Sequence, residues 1–390
     1  MNAGGSGATR RAGLLGRVLG HSLSPQVHRL FCDCEYGLYE REPEEVESFL
    51  RGSFGRGGFD FLNVTIPYKK LAFSLCGELS PEARALGNVN LVARGDGGAL
   101  RGDNTDAFGA ERLLDSAGVD AKGVKCAVLG AGGAAATMKA VLERRGAASV
   151  QLVRRGESPA KDAELIVNAT PVGMFPDVDG TRIDIARWPE CRYVVDLVYN
   201  PSPTRLVREA RALGKIAVDG MVMLIAQAYR AHPGCGSRPL FLYGAPASGK
   251  STAAKQIAAA TGWRLIDLDR EISRREGCGI PEIFAKSGEK GFRAAEKAAL
   301  EEVLAGARGG ETAVALGGGA LLDGGCRAMV EATGRVVVLD CPLTTLKNRL
   351  TGGERPLSDG AAALEALVAA RAPHYASFAN HVSLTPDVDQ

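Results

Sequence analysis

The chain has 390 residues, of which 45% are hydrophobic and 24% charged, with a formal net charge of +2. That length suits two or three domains, each able to bury a core, and so small a charge gives no reason to expect a nucleic-acid partner. No apolar run approaches the ~18 residues of a membrane span, and nine cysteines without a Cys-x-x-Cys pair suggest reduced thiols in a cytoplasmic protein, Cys32 and Cys34 being too isolated for a zinc site.

Residues 1–12 are rich in Gly, Ala and Ser, with Arg10 and Arg11 and no apolar stretch behind them, which predicts a disordered tail rather than a signal peptide. Short apolar strands then mix with amphipathic segments. Asp60–Ile66 predicts a strand stopped by Pro67. Val124–Leu129 predicts another, running into Gly130-Ala131-Gly132-Gly133-Ala134-Ala135 and a helix over Ala134–Arg145. Ser149–Arg154, Leu165–Ala169 and Tyr193–Val198 predict three more strands, and Met221–Tyr229 an apolar helix. This alternation points to parallel α/β layers. Residues 232–238 are the clear linker, after which the strand Leu240–Tyr243 opens a second glycine loop.

A Gly-x-Gly-x-x-Ala turn between a strand and a helix suits a dinucleotide. No acidic residue for an unphosphorylated ribose stands at the next strand end. Arg154 and Arg155 stand there instead, which favours a 2′-phosphate and hence NADP. A solvent-facing basic pair is the competing reading. Upstream, polar residues cluster: Ser22 and Ser24 in His21-Ser22-Leu23-Ser24-Pro25, Thr65 and Lys69 in Asn63-Val64-Thr65-Ile66-Pro67-Tyr68-Lys69, Asn90, and Asp106 in Asn104-Thr105-Asp106. In this order they resemble shikimate dehydrogenase. The segments Asp196–Pro201 and Gly220–Gln227 extend the likeness over residues 13–232.

That resemblance implies that Ser22, Ser24, Thr65, Asn90, Asp106, Tyr199 and Gln227 hold the substrate, and that Lys69 and Asp106 are the catalytic pair. Gly130, Ala131, Gly132, Gly133, Ala134, Arg154, Arg155, Gly220 and Met223 would hold NADP. Such a pair suits ketone reduction, because an ammonium stabilises developing alkoxide charge and supplies the proton, while the carboxylate favours the charged lysine. This chain departs from the family at Ala107 and Val222, where Gly is usual, and in a short coenzyme half. The family places a helix and a strand between Ser149–Arg154 and Leu165–Ala169. Here about nine residues, Arg155–Ala163, connect them, reaching roughly 30 Å when extended but only about 14 Å as a helix. A parallel crossover normally takes about a dozen. The expectation is an extended connection with no full helix, leaving Ser149–Arg154 as a sheet edge.

In the second half, Gly244-Ala245-Pro246-Ala247-Ser248-Gly249-Lys250-Ser251 is a phosphate loop whose amides and following helix hold phosphates. Lys250 should reach the β/γ-phosphates and Ser251 should ligate Mg²⁺. A chance glycine loop is the competing reading, opposed by the flanking strand and helix. Leu265–Asp269 predicts a strand end with Asp267 and Asp269 facing one side, one near the magnesium shell and the other accepting from a substrate hydroxyl. A solvated strand end competes with that. Phe292-Arg293-x-x-Glu296 on a helix, Gly317-Gly318-Gly319 after an apolar strand, Arg355-Pro356-Leu357 and Arg371-x-Pro373-x-Tyr375 follow. This ordered set resembles shikimate kinase over residues 238–385.

The resemblance implies that Asp269, Arg293, Gly318, Gly319 and Arg371 bind shikimate, the two guanidinium forks suiting a carboxylate. Gly244, Ala245, Ala247, Ser248, Gly249, Lys250, Ser251, Thr252, Arg349 and Arg355 would bind ATP. Ser251 and Asp267 would serve Mg²⁺. Lys250, Asp269 and Arg355 would be catalytic, with Arg355 on a lid and Arg349 flanking the adenine.

The expected fold class is α/β: a substrate lobe, a shortened Rossmann NADP lobe, and a P-loop kinase domain with a parallel sheet. The expected division is a tail at 1–12, a substrate lobe at 13–106 completed by helix 220–231, a coenzyme lobe at 107–219, a linker at 232–238 and a kinase domain at 239–390. Two linked reactions on small-molecule substrates follow: 3-dehydroshikimate to shikimate with NADPH, then shikimate to its 3-phosphate with ATP. Competing readings are a kinase attached to a degenerate dehydrogenase-like scaffold, and a pair acting on related substrates such as quinate.

Overall fold

The computed structural model describes residues 10–20, 22–55, 57–233, 238–351 and 360–384. They fall into two compact units, 1–232 and 233–390. Residues 1–9 of the expected tail and 234–237 of the expected linker lie outside the described residues.

Residues 10–12 of the expected tail lie in a strand instead. Arg10–Gly16 is strand β1, paired with β2 (Cys34–Glu40) from Arg10↔Cys34 onward. Ala12 and Leu15 are fully buried, so apolar burial fixes the strand, and the charged pair that suggested a tail sits at its exposed end. The amide of Arg11 donates to Asp60 Oδ2 at 2.8 Å, tying that end down. β3 (Phe61–Val64), β4 (Glu78–Leu79), β5 (Leu91–Arg94) and β6 (Leu100–Asp103) complete a sheet of order β2-β1-β3-β5-β6-β4. This sheet is mixed rather than parallel throughout, because β5 is antiparallel to β3 and β6. The β5–β6 turn contains Gly97 and Gly98 at φ 62 and 87, a region that glycine enters without a Cβ penalty.

The second sheet is wholly parallel: β7 (Lys125–Leu129), β8 (Ser149–Val153), β9 (Leu165–Asn168), β10 (Tyr193–Asp196) and β11 (Ile216–Val218), in the order β11-β10-β9-β7-β8. This is the doubly wound dinucleotide order with the strand beyond β8 missing. Residues 155–163, all described, contain neither helix nor strand. β8 is the sheet edge, as the length of the connection required. Its exposed Gln151 clasps that connection, accepting from Ala160 N at 2.8 Å and donating to Ser158 O at 3.4 Å.

The second unit holds β12 (Leu240–Tyr243), β13 (Arg264–Asp267), β14 (Thr312–Ala315), β15 (Arg335–Leu339) and β16 (His381–Val382), parallel and ordered β13-β14-β12-β15-β16. Phe241, Tyr243, Val314 and Val338 pack its core with Leu300 and Leu304 of the helix Ile280–Ala307. The central β12 carries the phosphate loop at its carboxyl end, where open α/β sheets bind ligands. Among the described residues no helix is long and apolar enough to cross a membrane.

Candidate functional sites

β7 passes from Leu129 into Gly130 at φ 124, where a Cβ would press on Ala169 O at 3.1 Å. A Cβ on Gly132 would meet no described atom within 4 Å, so the turn leaves room for a ligand against its backbone. The helix Gly133–Arg144 starts there without a side-chain cap, which fits a pyrophosphate on its N-terminus. Arg154 and Arg155 are exposed just past β8. Gly220 is required for packing, since a Cβ there would stand 2.2 Å from Leu197 O. Met223 is buried on the helix Met221–Arg230, pressed against Gly109.

Lys69 opens the helix Lys69–Leu75 and Asp106 opens the helix Asp106–Ser116. Lys69 Nζ donates to Asp106 Oδ2 at 2.6 Å, with side chains 16% and 3% exposed. Asn90 Nδ2 donates to the other oxygen, Oδ1, at 2.8 Å, and the Thr105 amide donates back to Asn90 Oδ1 at 2.7 Å. Asn104 Oδ1 accepts from the amides of Asp106 and Ala107 at 3.0 and 3.4 Å, satisfying the helix start. Ala107 is therefore ordinary helical backbone that needs no glycine. Gln227 Oε1 accepts from Asn90 at 3.4 Å, and Ser22 Oγ donates to Ser24 Oγ at 3.1 Å. Burial pushes the Tyr199 phenol up, partly offset by its hydrogen bond to Ser22. Thr65 lies in the loop between β3 and Lys69. A Cβ on Gly133 would be 3.9 Å from Lys69 Cδ, which places the lysine beside the coenzyme turn.

In the second unit Gly244 and Gly249 take φ 131 and 96, and Ala247 takes φ 62. Lys250, 8% exposed, donates to the carbonyls of Gly244 and Ala245 at 3.0 and 2.7 Å, so its charge lies on the inner face of the loop. Ser248 Oγ is buried without a hydrogen-bond partner among the described residues, as a phosphate-facing hydroxyl would be. Ser251 and Thr252 lie on the helix Lys250–Thr261. Asp267 ends β13 two strands away. A hydroxyl after the phosphate loop and a carboxylate at a strand end of the same sheet are donors of the kind Mg²⁺ takes, with waters and phosphates as its other ligands. Arg349 donates to Ala247 O at 3.2 Å, so it stands at the phosphate loop itself.

Asp269 departs from expectation. β13 ends at Asp267, and Asp269 lies in the first turn of the helix Leu268–Glu276, so the two carboxylates do not share a strand face. A carboxylate is favoured in that first turn by the helix dipole. Asp269 still reaches the site: a Cβ on Gly317 would lie 3.5 Å from its Oδ1 and 2.6 Å from Glu296 Oε1. A Cβ on Gly319 would stand 2.7 Å from the Arg293 guanidinium. Gly318 O accepts from Arg371 at 3.1 Å and from the Tyr375 hydroxyl at 2.7 Å. Burial pushes Glu296 up despite its bond to Arg293, and its Oε1 is unpartnered among the described residues. Arg355 lies outside the described residues.

The sequence reading missed one network. Asp196, buried at the end of β10, accepts from Asn168 Nδ2 at 2.9 Å, Val198 N at 3.1 Å and Thr204 Oγ1 at 2.7 Å. Burial raises its carboxyl to about 6. It ties together the loops after β9 and β10. The turn-forming Asn168-Ala169-Thr170-Pro171 was the available signal.

The fold and these constellations define a nucleotide-dependent oxidoreductase with a lysine–carboxylate pair, followed by a P-loop phosphotransferase. The family model described as shikimate dehydrogenase substrate binding domain matches residues 14–92, and that described as shikimate kinase matches residues 246–389. The chain is similar to the NADP(+) shikimate dehydrogenase of Methanosarcina barkeri, 36% identical over 251 residues covering 55% of this chain and 88% of that protein. Among solved structures, shikimate dehydrogenase 1 of Peptoclostridium difficile is 32% identical with a TM-score of 0.53, over 57% of this chain and 90% of that one. The Thermus thermophilus enzyme in complex with NADP(H) and shikimate is also 32% identical, with a TM-score of 0.51 over 57% of this chain and 92% of that one. The chain belongs to the shikimate dehydrogenase family in its N-terminal half and carries a shikimate kinase domain in its C-terminal half, a fusion of the two.

Proposed function

We propose a bifunctional enzyme of the shikimate pathway that reduces 3-dehydroshikimate to shikimate with NADPH and phosphorylates the shikimate 3-hydroxyl with ATP and Mg²⁺. The observation that carries the first reaction is the Lys69–Asp106 pair beside the glycine turn. NADPH supplies the hydride. Lys69 donates a proton to the carbonyl oxygen as it gains charge, Asp106 orients the lysine, and Asn90 holds Asp106. Ser22, Ser24, Thr65, Tyr199 and Gln227 hold the substrate. In this division residues 13–106 with the helix 220–231 form the substrate lobe, 107–219 the coenzyme lobe and 239–390 the kinase.

In the second reaction ATP supplies the phosphoryl group, and Ser251 and Asp267 would serve the magnesium. Asp269 accepts the hydroxyl proton, while Arg293 and Arg371 fork the carboxylate. The product of the first site is the substrate of the second, which gives the fusion its chemical sense. The test is whether purified protein reduces NADP⁺ when given shikimate and forms ADP when given shikimate and ATP. ADP formation without NADP⁺ reduction would make the first half a scaffold. Faster NADP⁺ reduction with quinate than with shikimate would reassign the substrate.

Two substitutions examine the recognition groups. Arg371→Lys keeps the charge but loses the planar fork, so the KM for shikimate in the kinase reaction should rise about ten-fold, the cost of one charge-assisted hydrogen bond, with the KM for ATP little changed. A selective rise for ATP would move Arg371 to the nucleotide side. Replacing Arg154 and Arg155 together by Ser should raise the KM for NADPH far more than that for NADH. Equal effects would show that these arginines do not read the 2′-phosphate.

A further inference from the structure

The short connection after β8 leaves open the side of the coenzyme lobe where a crossover helix ordinarily packs. The long segment between β9 and β10 takes that place. Trp188 Nε1 donates to Ala160 O at 3.1 Å, with Lys161 Nζ 4.6 Å from the centre of the indole ring. Earlier in the same segment the half-buried Arg182 donates to Arg154 O at 2.5 Å. This contact fixes a third guanidinium group at the end of the second strand, where dinucleotide sheets read the 2′-position of the ribose.

Arg154, Arg155 and Arg182 form no ion pair among the described residues. The Glu157 carboxylate accepts from the Arg154 amide at 2.8 Å, which sets one negative charge against three positive ones. A local excess of positive charge with planar donors suits a dianionic phosphate monoester. A purely mechanical cap on the carbonyl of Arg154 would need a donor but not a permanent cation.

We infer that Arg182, carried by the segment between β9 and β10, completes a 2′-phosphate site with Arg154 and Arg155 and so stands in for the absent crossover helix. This rests on the NADPH reading above, and equilibrium binding separates the two. NADPH and NADH are titrated into the full-length protein without substrate, and binding is followed by nicotinamide fluorescence. The unchanged protein should bind NADPH more tightly than NADH. Arg182→Gln should weaken NADPH about ten-fold, the worth of one charge-assisted hydrogen bond, and leave NADH unchanged. Arg182→Lys keeps a cation and a donor, so it should lose less of the preference, and it decides the matter if the glutamine variant does not fold. Equal weakening of both coenzymes in either variant would make Arg182 a structural cap and overturn the inference, as would no weakening in either. An unchanged protein without any preference for NADPH would instead remove the NADPH reading itself.

Discussion

Lys250→Ala should abolish ATP-dependent phosphorylation of shikimate while hydride transfer continues at its original rate. The ammonium group lies on the inner face of the phosphate loop, 8% exposed and bonded to the carbonyls of Gly244 and Ala245. It is the one side-chain cation that the loop itself carries. A fixed charge in so enclosed a position is worth far more than one in water, and removing a preorganised electrostatic donor costs at least about 10²–10³ in kcat. The dehydrogenase pair, its supporting asparagine and the coenzyme turn all belong to residues 1–232, whose sheets and cores are separate from those of the kinase. Coupled assays of the two reactions on the same preparation check this. Loss of both activities in the variant would show a linkage between the units that the proposed mechanism lacks.

Motif order along the chain pointed to Lys69, Asp106, Lys250 and Arg371, and the structure sets Lys69 on Asp106, Lys250 inside its glycine loop and Arg371 on Gly318 O. The shape of the coenzyme lobe was legible for a different reason, chain length. The eleven residues between β8 and β9, 154–164, are too few both to return across the sheet and to form a helix, and they form none. Where local pattern was the only guide, readings slipped. Asp269 looked like a strand residue because Asp267 and Asp269 alternate, yet helix begins at Leu268, and an acidic first turn with arginines in the last turn suits the dipole. Arg10 and Arg11 looked like a tail because their strand neighbours, Cys34 and Glu35, come more than twenty residues later. The contact of Arg182 and the partners of Asp196 lay beyond local pattern for the same reason. Arg182 meets Arg154 across 28 residues of sequence, and Asp196 meets Asn168 across another 28, contacts that no local periodicity encodes.

Lys69→Ala should remove most dehydrogenase turnover, by about 10²–10⁴, the usual worth of a positioned general acid, which corresponds to roughly 2.7–5.4 kcal/mol of barrier. NADPH binding should survive, because the ammonium is directed to Asp106 and the substrate lobe while the glycine turn is left whole. The loss should therefore appear in kcat, with the equilibrium dissociation constant for NADPH little changed. The substitution also leaves Asp106, 2% exposed, without its cation, and breaking a buried ion pair by removing one partner is destabilising. Asn90 still donates to it, which limits the damage. A modest fall in Tm is expected for that reason, so the assay is run well below it. Lys69→Met keeps the apolar stem and removes only the charge, and should lose turnover to the same extent. Wild-type turnover in either variant would show that Lys69 is not the proton donor. A parallel loss of NADPH affinity would show that the lysine holds the coenzyme rather than the ketone.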